Sequence, residues 1–200
     1  MTTAAAGPRW EEPIAAVPRV AGRSRRRIVL WISLAVGVAF AVLIACLATV
    51  GTTGSHSSLV GKPAPGLAGT SLSGGKAVSL TQFSGKWVLV NFAASWCIPC
   101  RQEMPQLLKF AQGSARYNAV ILTVAEDPGD AANLRAYLAS ERADWPAIDA
   151  PTADVPWGVQ TIPTSYIVDP QGLVVAFLPA GVNAAGVDRA IAKASAAEAS

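Results

Sequence analysis

From residue 87 onward, short apolar runs of strand length alternate with segments of helical spacing. Four runs have the length and composition of buried strands: residues 87–94, 119–125, 164–169 and 173–178. Segments with apolar residues at helical spacing follow the first two runs, and an Ala-rich helical segment closes the chain. The last two runs are separated by "PQG", which predicts an antiparallel hairpin. The order predicts an α/β fold in which helices flank a mixed central sheet.

Two of the three cysteines lie where the first predicted strand ends and a helix begins. Cys97 and Cys100 are separated by Ile98 and Pro99, and Pro99 suits an early helical position because its missing N–H costs little there. The unpaired N–H groups and dipole of a helix start stabilise an anion, so we expect the pKa of the Cys97 thiol to lie below its ordinary value. The Cys97 thiolate would attack a disulfide of a partner, and Cys100 would resolve the mixed disulfide.

Three other roles are conceivable for this cysteine pair. A structural disulfide over so short a loop would remove little chain entropy. A zinc site would need a second Cys or His pair, whereas the sequence has one further cysteine and one histidine. An inert reduced pair is the third alternative. Redox chemistry is favoured, so we expect a redox-active Cys97–Cys100 disulfide, no metal site and no separate cofactor.

Residues 28–50 form an uncharged apolar run of 23 residues. About 20 such residues suffice for a helix to span a bilayer, so the run predicts one N-terminal transmembrane anchor. Residues 1–27 precede it as a predicted disordered, basic, cytoplasmic tail. Residues 51–62 would be a linker, and residues 63–198 a folded domain outside the cytoplasm.

Two alternatives to the anchor remain open. The sequence "LIAC", which ends at Cys46, resembles a bacterial lipobox, in which the cysteine is lipidated after cleavage. Plain secretion after cleavage of a signal peptide is the second alternative. The transmembrane anchor is favoured because the apolar run continues past Cys46.

The charge distribution bears on the class of partner. Residues 1–27 carry six arginines against two glutamates (net +4), and residues 51–200 carry ten basic against eleven acidic residues (net −1). The two sums give the net charge of +3 for the chain. The basic excess therefore belongs to the predicted tail beside the membrane, and we expect no nucleic acid partner.

The motif "WCIPC" at the strand-to-helix turn and "TIPTSYIVDPQG" some sixty residues later resemble the thioredoxin superfamily. Within it, residues 60–198 are similar to the membrane-anchored, extracytoplasmic TlpA/ResA/CcmG-like group. The resemblance implies a thioredoxin-like fold and a thiol–disulfide oxidoreductase that acts on exported protein thiols, such as apo-cytochrome c during cytochrome c maturation. A reducing enzyme would take electrons from a membrane donor, and an oxidising one would need a quinone-linked reoxidant.

The resemblance also implies roles for residues outside the cysteine pair. Pro163 would be the cis-proline that lies against the cysteines, and the backbone of Ile162 would pair with an extended substrate. Glu126 would take and return the proton of Cys100, although an exposed acid at a helix start is the alternative. Trp96 would cover the nucleophile as part of the substrate surface, with a packing role as the alternative.

Two positions depart from the pattern of the superfamily. Thioredoxins proper have a buried aspartate in the strand before the cysteines, and this chain has Asn91 there. Because Asn91 cannot ionise, acid–base catalysis would fall to Glu126. Many TlpA/ResA-like proteins have an acidic residue at the position of Ile98, and the missing charge should ease formation of the Cys97 thiolate. Both departures, with Pro99, would tune the redox potential.

Other functions fit the sequence less well than disulfide reduction. An extracytoplasmic thiol oxidant is the first alternative, since the direction of electron flow is not encoded locally. Peroxiredoxins have a threonine three residues before their nucleophile, where this chain has Ala94. A non-catalytic binding module would keep the fold without turnover.

Overall fold

The computed structural model describes residues 23–50 and 57–198. The predicted tail as far as residue 22, residues 51–56 of the predicted linker and the side chain of Cys46 lie outside the described residues. The chain divides into two compact units, residues 1–53 and 54–200. The first unit contributes one described element, helix α1, Arg23–Val50, which begins within the arginine cluster. In the parts of the chain that the structure describes, we find no helix both long and apolar enough to cross a membrane.

The second unit is built on a seven-stranded sheet with the strand order β2-β1-β5-β4-β3-β6-β7. The strands are β1 Ala68–Ser71, β2 Ala77–Ser79, β3 Trp87–Ala93, β4 Ala119–Ala125, β5 Ala147–Asp149, β6 Thr164–Val168 and β7 Val174–Pro179. The helices are α2 Ile98–Gly113, α3 Ala131–Ser140, α4 Asp154–Trp157 and α5 Ala184–Glu198. Short 3₁₀ turns cover Leu80–Phe83 and Ser114–Tyr117.

The sheet is mixed, as the sequence predicted. Strand β3 runs parallel to β4 and antiparallel to β6, and β6 pairs with β7 as an antiparallel hairpin. All four strands predicted from apolar runs are present, and the helices that follow them are confirmed. Strands β1, β2 and β5 have three or four residues each, and the sequence analysis did not predict them.

The core lies on both faces of the sheet, because helices and loops cover each face. One face packs against α2, α3 and α5 through buried residues such as Leu89, Leu107 and Ile191. The other face holds an aromatic cluster of Phe92, Trp157, Tyr166 and Phe177. All residues of β3 are therefore buried, which explains why every residue of this strand except Asn91 is apolar, without the alternation of a half-exposed strand.

The sheet topology brings three distant segments to one edge. Parallel strands β3 and β4 end together, since Ala93 lies opposite Ala125. Antiparallel β6 begins at the same edge, because Thr164 lies opposite Phe92. The turn after β3, the loop after β4 and the loop before β6 therefore meet. These segments carry the cysteine pair, Glu126 and Pro163.

Candidate active site

The two cysteines form a disulfide at the start of α2. Cys97 is the N-cap residue of the helix and Cys100 lies in its first turn, with their Cα atoms 5.2 Å apart. The backbone N–H of Cys100 donates a hydrogen bond to Sγ of Cys97 at 3.2 Å. After reduction, this N–H and the positive end of the helix dipole would stabilise a thiolate on Cys97. Pro99 occupies the first turn, as the sequence predicted.

Buried apolar residues surround the disulfide, and an exposed rim formed by Trp96 and Ile98 flanks Cys97. Both cysteines are buried and form a cluster with Ala93 and Ala94, against which Ile162 packs. The Ile162–Pro163 peptide bond is cis, as expected from the motif, and Pro163 is buried. In contrast, Trp96 and Ile98 are 60% and 68% exposed. The chain thus presents two large apolar side chains to solvent on either side of Cys97.

A hydrogen bond holds the exposed Trp96 in place. Its Nε1 donates to Oδ2 of Asp127 at 2.9 Å, and Asp127 lies in the loop after β4. An exposed tryptophan without such a bond would lose more rotamer freedom when a substrate bound to it. The indole face is therefore already oriented beside the cysteines.

The sequence analysis missed a buried carboxyl group, Glu103, on α2. Its side chain is 5% exposed, its Oε1 accepts a hydrogen bond from Nδ2 of Asn91 at 2.8 Å, and its Oε2 accepts one from the Val182 N–H at 2.7 Å. Burial raises the pKa of Glu103, and the two hydrogen bonds oppose the shift in part. Glu103 follows Cys100 by three residues on the same helix, so their side chains share one face.

The chain approaches Glu103 closely because of one glycine in the loop between β7 and α5. Gly181 adopts a φ of +113°, and a Cβ at this position would lie 3.4 Å from Oε2 of Glu103. A residue with a side chain would be strained at this φ, although its Cβ would make only an ordinary van der Waals contact with the carboxylate. The glycine lets the next residue, Val182, present its N–H to Glu103.

Asn91 connects the strand before the cysteines to Glu103. It is buried within β3, and its Nδ2 donates both to Glu103 and to Oγ of Ser165, at 3.0 Å for the latter. An amide can donate to a carboxylate, whereas a second carboxylate at this position would repel Glu103. The buried acid of this site is thus supplied by the helix rather than by the strand.

Glu126 lies at the edge of the site, immediately after β4. Its N–H donates to the carbonyl oxygen of Ala93 at 3.1 Å, which places its backbone beside the end of β3. Partial burial raises the pKa of Glu126, and the neighbouring Asp154 and Asp127 carboxylates raise it further. Its proposed role in proton transfer stays a prediction.

Glu103, which the sequence analysis did not identify as a site residue, nevertheless had a signal in the sequence. Glu103 belongs to the helical segment whose apolar positions, Met104 and Leu107, face the core, and it follows the second cysteine at helical spacing. A charged residue on the apolar side of a helix is unusual and points to a buried role. The spacing alone did not show which partners would satisfy the carboxylate, since Val182 is distant in sequence.

The fold and the site together define a class of protein. A mixed sheet, a cysteine pair at a helix start beside the sheet edge and a neighbouring cis-proline are the features of a thioredoxin-like thiol–disulfide oxidoreductase. Comparisons with known proteins agree with this class. Thioredoxin-like protein YneN of Bacillus subtilis is 37% identical over 118 residues, which cover 57% of this chain and 68% of YneN.

Further comparisons identify the family. Thiol-disulfide oxidoreductase ResA of Bacillus thuringiensis is 32% identical over 118 residues, covering 58% of this chain and 67% of ResA. The thioredoxin domain of a thiol-disulfide oxidoreductase from Bacteroides vulgatus has 27% identity and a TM-score of 0.58, covering 68% of this chain and 99% of that one. Residues 60–177 match the model of the AhpC/TSA family. The chain belongs to the AhpC/TSA family.

The raised pKa of Glu103 predicts how stability depends on pH. The folded protein keeps this proton to a higher pH than the unfolded chain does, so the free energy of unfolding should fall as pH rises from the ordinary glutamate pKa of 4.5 towards the raised pKa. Glu103→Gln should flatten part of this decline, because the amide stays neutral. Urea denaturation of the oxidised protein at several pH values measures the slope of the free energy of unfolding against pH.

Gln102→Ala is the control for this measurement, because it changes an exposed residue of the same helix and removes no titratable group. The control should leave the slope as in the wild type. A slope in Glu103→Gln equal to that of the wild type would contradict the assignment of a raised pKa to this buried carboxyl.

Proposed function

We propose that this oxidoreductase reduces disulfides of exported proteins, with Cys97 as the nucleophile and Cys100 as the resolving cysteine. The observation that carries the proposal is the position of Cys97 at the N-cap of α2, where its sulfur accepts the Cys100 N–H. Of the two cysteines, Cys97 is the one whose sulfur accepts a backbone N–H at the helix start, and this N–H would stabilise its thiolate. Ile162, which precedes the cis-proline, packs beside the pair.

The reaction balances through two exchanges. The Cys97 thiolate attacks one sulfur of the substrate disulfide, a mixed disulfide forms, and the other substrate sulfur leaves as a thiolate that takes up a proton. Cys100 then loses its proton and attacks Sγ of Cys97, which closes the Cys97–Cys100 disulfide and releases the second substrate thiol. The substrate gains two electrons and two protons, and a thiol reductant at the membrane must restore the enzyme.

Resolution needs a group that accepts the proton of Cys100, and we propose Glu103 for it. At a spacing of three residues on a helix, the Cβ atoms of Cys100 and Glu103 are about 5–6 Å apart. Burial that raises the pKa of Glu103 brings this carboxyl closer to the working pH of a base. Glu126 is the second candidate, because its pKa is also raised.

The rim of the site is proposed to bind the substrate chain. The backbone of Ile162 would pair with an extended segment, while Trp96 and Ile98 would contact apolar side chains beside the substrate disulfide. Both rim residues are large, apolar and exposed, and such side chains are enriched at binding surfaces. Asn91 would tune the reduction potential of the cysteine pair through its hydrogen bond to Glu103, and Pro99 would tune it through the first turn of α2.

We further propose that the substrate is an apo-cytochrome c and that the domain is tethered to the outer face of the cytoplasmic membrane. The first proposal is supported by the resemblance of the "WCIPC" and "TIPTSYIVDPQG" motifs to the TlpA/ResA/CcmG-like group. The second is supported by the uncharged run of residues 28–50 and the arginines before it. A membrane partner would then supply the electrons.

Replacing each cysteine with serine should separate their roles. Cys97→Ser should reduce the rate of insulin disulfide reduction to the uncatalysed background, because it removes the attacking thiolate. Cys100→Ser should instead trap the mixed disulfide with the substrate, which a non-reducing gel detects. Cys46→Ser is the control and should keep wild-type activity, and activity surviving in Cys97→Ser would contradict the proposal.

The substrate proposal predicts a preference among disulfides. A peptide with an oxidised C-x-x-C-H haem-attachment motif should be reduced faster than insulin at equal concentration. A peptide with the same composition but a wider cysteine spacing is the matched control. Equal rates for both peptides would reject apo-cytochrome c as the preferred substrate.

The tether predicts where the chain fractionates in cells. The full chain should remain in the membrane pellet after alkaline carbonate extraction, and deletion of residues 28–50 should release it. Cys46→Ser should stay in the pellet if the helix anchors the chain, whereas release would indicate lipidation at Cys46. A soluble full chain would contradict the tether.

A further inference from the structure

Asp130 makes two short hydrogen bonds to the turn that carries the nucleophile. Its side chain is 5% exposed, its Oδ2 accepts the backbone N–H of Ser95 at 2.6 Å, and its Oδ1 accepts the Ser95 hydroxyl at 2.5 Å. Ser95 lies two residues before Cys97. A buried carboxylate that accepts two hydrogen bonds from one residue restrains both its backbone and its side chain.

The position of Asp130 on its own helix makes this pairing unusual. Asp130 is the N-cap residue of α3, where an aspartate ordinarily accepts an N–H from the first turn of the same helix. Here both carboxylate oxygens turn to Ser95 instead. The interaction that would stabilise α3 is thus directed to the turn between β3 and α2.

Two further contacts join the same segments. The N–H of Glu126 donates to the carbonyl oxygen of Ala93, and Nε1 of Trp96 donates to Asp127. The acidic loop, residues 126–130, therefore contacts the nucleophile turn, residues 93–97, at three residues: Ala93, Ser95 and Trp96. Of these three contacts, the one between Asp130 and Ser95 is the one made by a buried carboxylate, and it consists of two hydrogen bonds.

We propose that Asp130 is a positioning residue for Cys97. By holding Ser95, it fixes the direction in which the chain enters α2, and so keeps Sγ of Cys97 in line with the Cys100 N–H. A displacement of about 1 Å of a reacting group can cost up to about a hundredfold in rate. This inference rests on the proposed role of Cys97 as the nucleophile.

The hydrogen bonds and the charge of Asp130 can be separated by substitution. Asp130→Asn removes the charge but keeps one oxygen for the Ser95 N–H, and its amide can donate to the Ser95 hydroxyl oxygen, which both accepts and donates. Asp130→Ala removes both hydrogen bonds. Positioning therefore predicts that the asparagine variant keeps function and the alanine variant loses it.

Asp169 offers a matched control for the loss of a buried aspartate. It is also 5% exposed, and its Oδ1 accepts the N–H groups of Gln171 and Leu173 at 3.0 and 2.7 Å. It lies in the hairpin turn after β6, at the opposite end of the sheet from the cysteines, since Val168 lies opposite Val88 near the start of β3. Asp169→Ala should lower stability without changing the chemistry at Cys97.

The experiment measures two quantities in the full chain. The first is the second-order rate constant for reduction of a disulfide substrate at a pH where Cys97 is fully ionised, and the second is the pH midpoint of Cys97 alkylation by iodoacetamide. We expect Asp130→Ala to lower the rate constant about ten- to a hundredfold and to move the alkylation midpoint upward. Asp130→Asn and Asp169→Ala should match the wild type in both measurements.

Each outcome decides the proposal. Wild-type kinetics and midpoint in Asp130→Ala would overturn it, and so would an Asp130→Asn variant as defective as Asp130→Ala, which would assign the effect to charge. If Asp130→Ala does not fold, Ser95→Ala removes only the hydroxyl bond and should shift both measurements in the same direction by less; no shift would overturn the proposal. Cys97→Ser, measured in parallel, tests the proposed function separately, because residual activity there would overturn that function and not the geometry of Asp130.

Discussion

The burial of β3 on both faces is the constraint on which the rest of the site depends. Every residue of Trp87–Ala93 is buried, between parallel β4 and antiparallel β6. A one-residue slip would turn Asn91 to the opposite face of the sheet, away from Glu103 and Ser165, and would leave buried polar groups unpaired. The end of β3 is therefore fixed relative to the loops after β4 and before β6, and the turn that follows delivers Cys97 to the edge that these loops share.

Buried polar groups restrict how the elements around the site can pack. Asn91 faces inward from β3 and pairs with Glu103 of α2, which in turn accepts the N–H of Val182 before α5. A buried carboxyl is costly unless its hydrogen bonds are satisfied, so these elements can pack together in few other ways. Before the cysteines in the sequence, Ser95 donates two hydrogen bonds to a second buried carboxylate, that of Asp130. Buried carboxyl groups thus hold the chain both before and after the cysteine pair in the sequence, at Ser95 and at Glu103 itself.

The parts of this structure that could be predicted from the sequence are those with a local signal. Strands β3 and β4 and the β6–β7 hairpin follow from apolar runs and a short turn, whereas β1, β2 and β5 are too short and too irregular in pattern to predict. The site divides in the same way: Cys97, Cys100 and Pro163 stand in motifs, and the structure shows the disulfide and the cis bond. Glu103 and Asp130 were missed, because their partners come from segments distant in sequence and only the folded sheet brings them together.

The reduction potential of the Cys97–Cys100 pair tests most directly the claim that this site donates electrons to substrate disulfides. It can be measured by equilibrating the purified full chain in a series of dithiol–disulfide buffers and following the fraction of oxidised pair. We predict a value well below about −150 mV, on the side of thioredoxin at about −270 mV. A value near about −120 mV, as for the oxidant DsbA, would contradict the account and make the protein an oxidant.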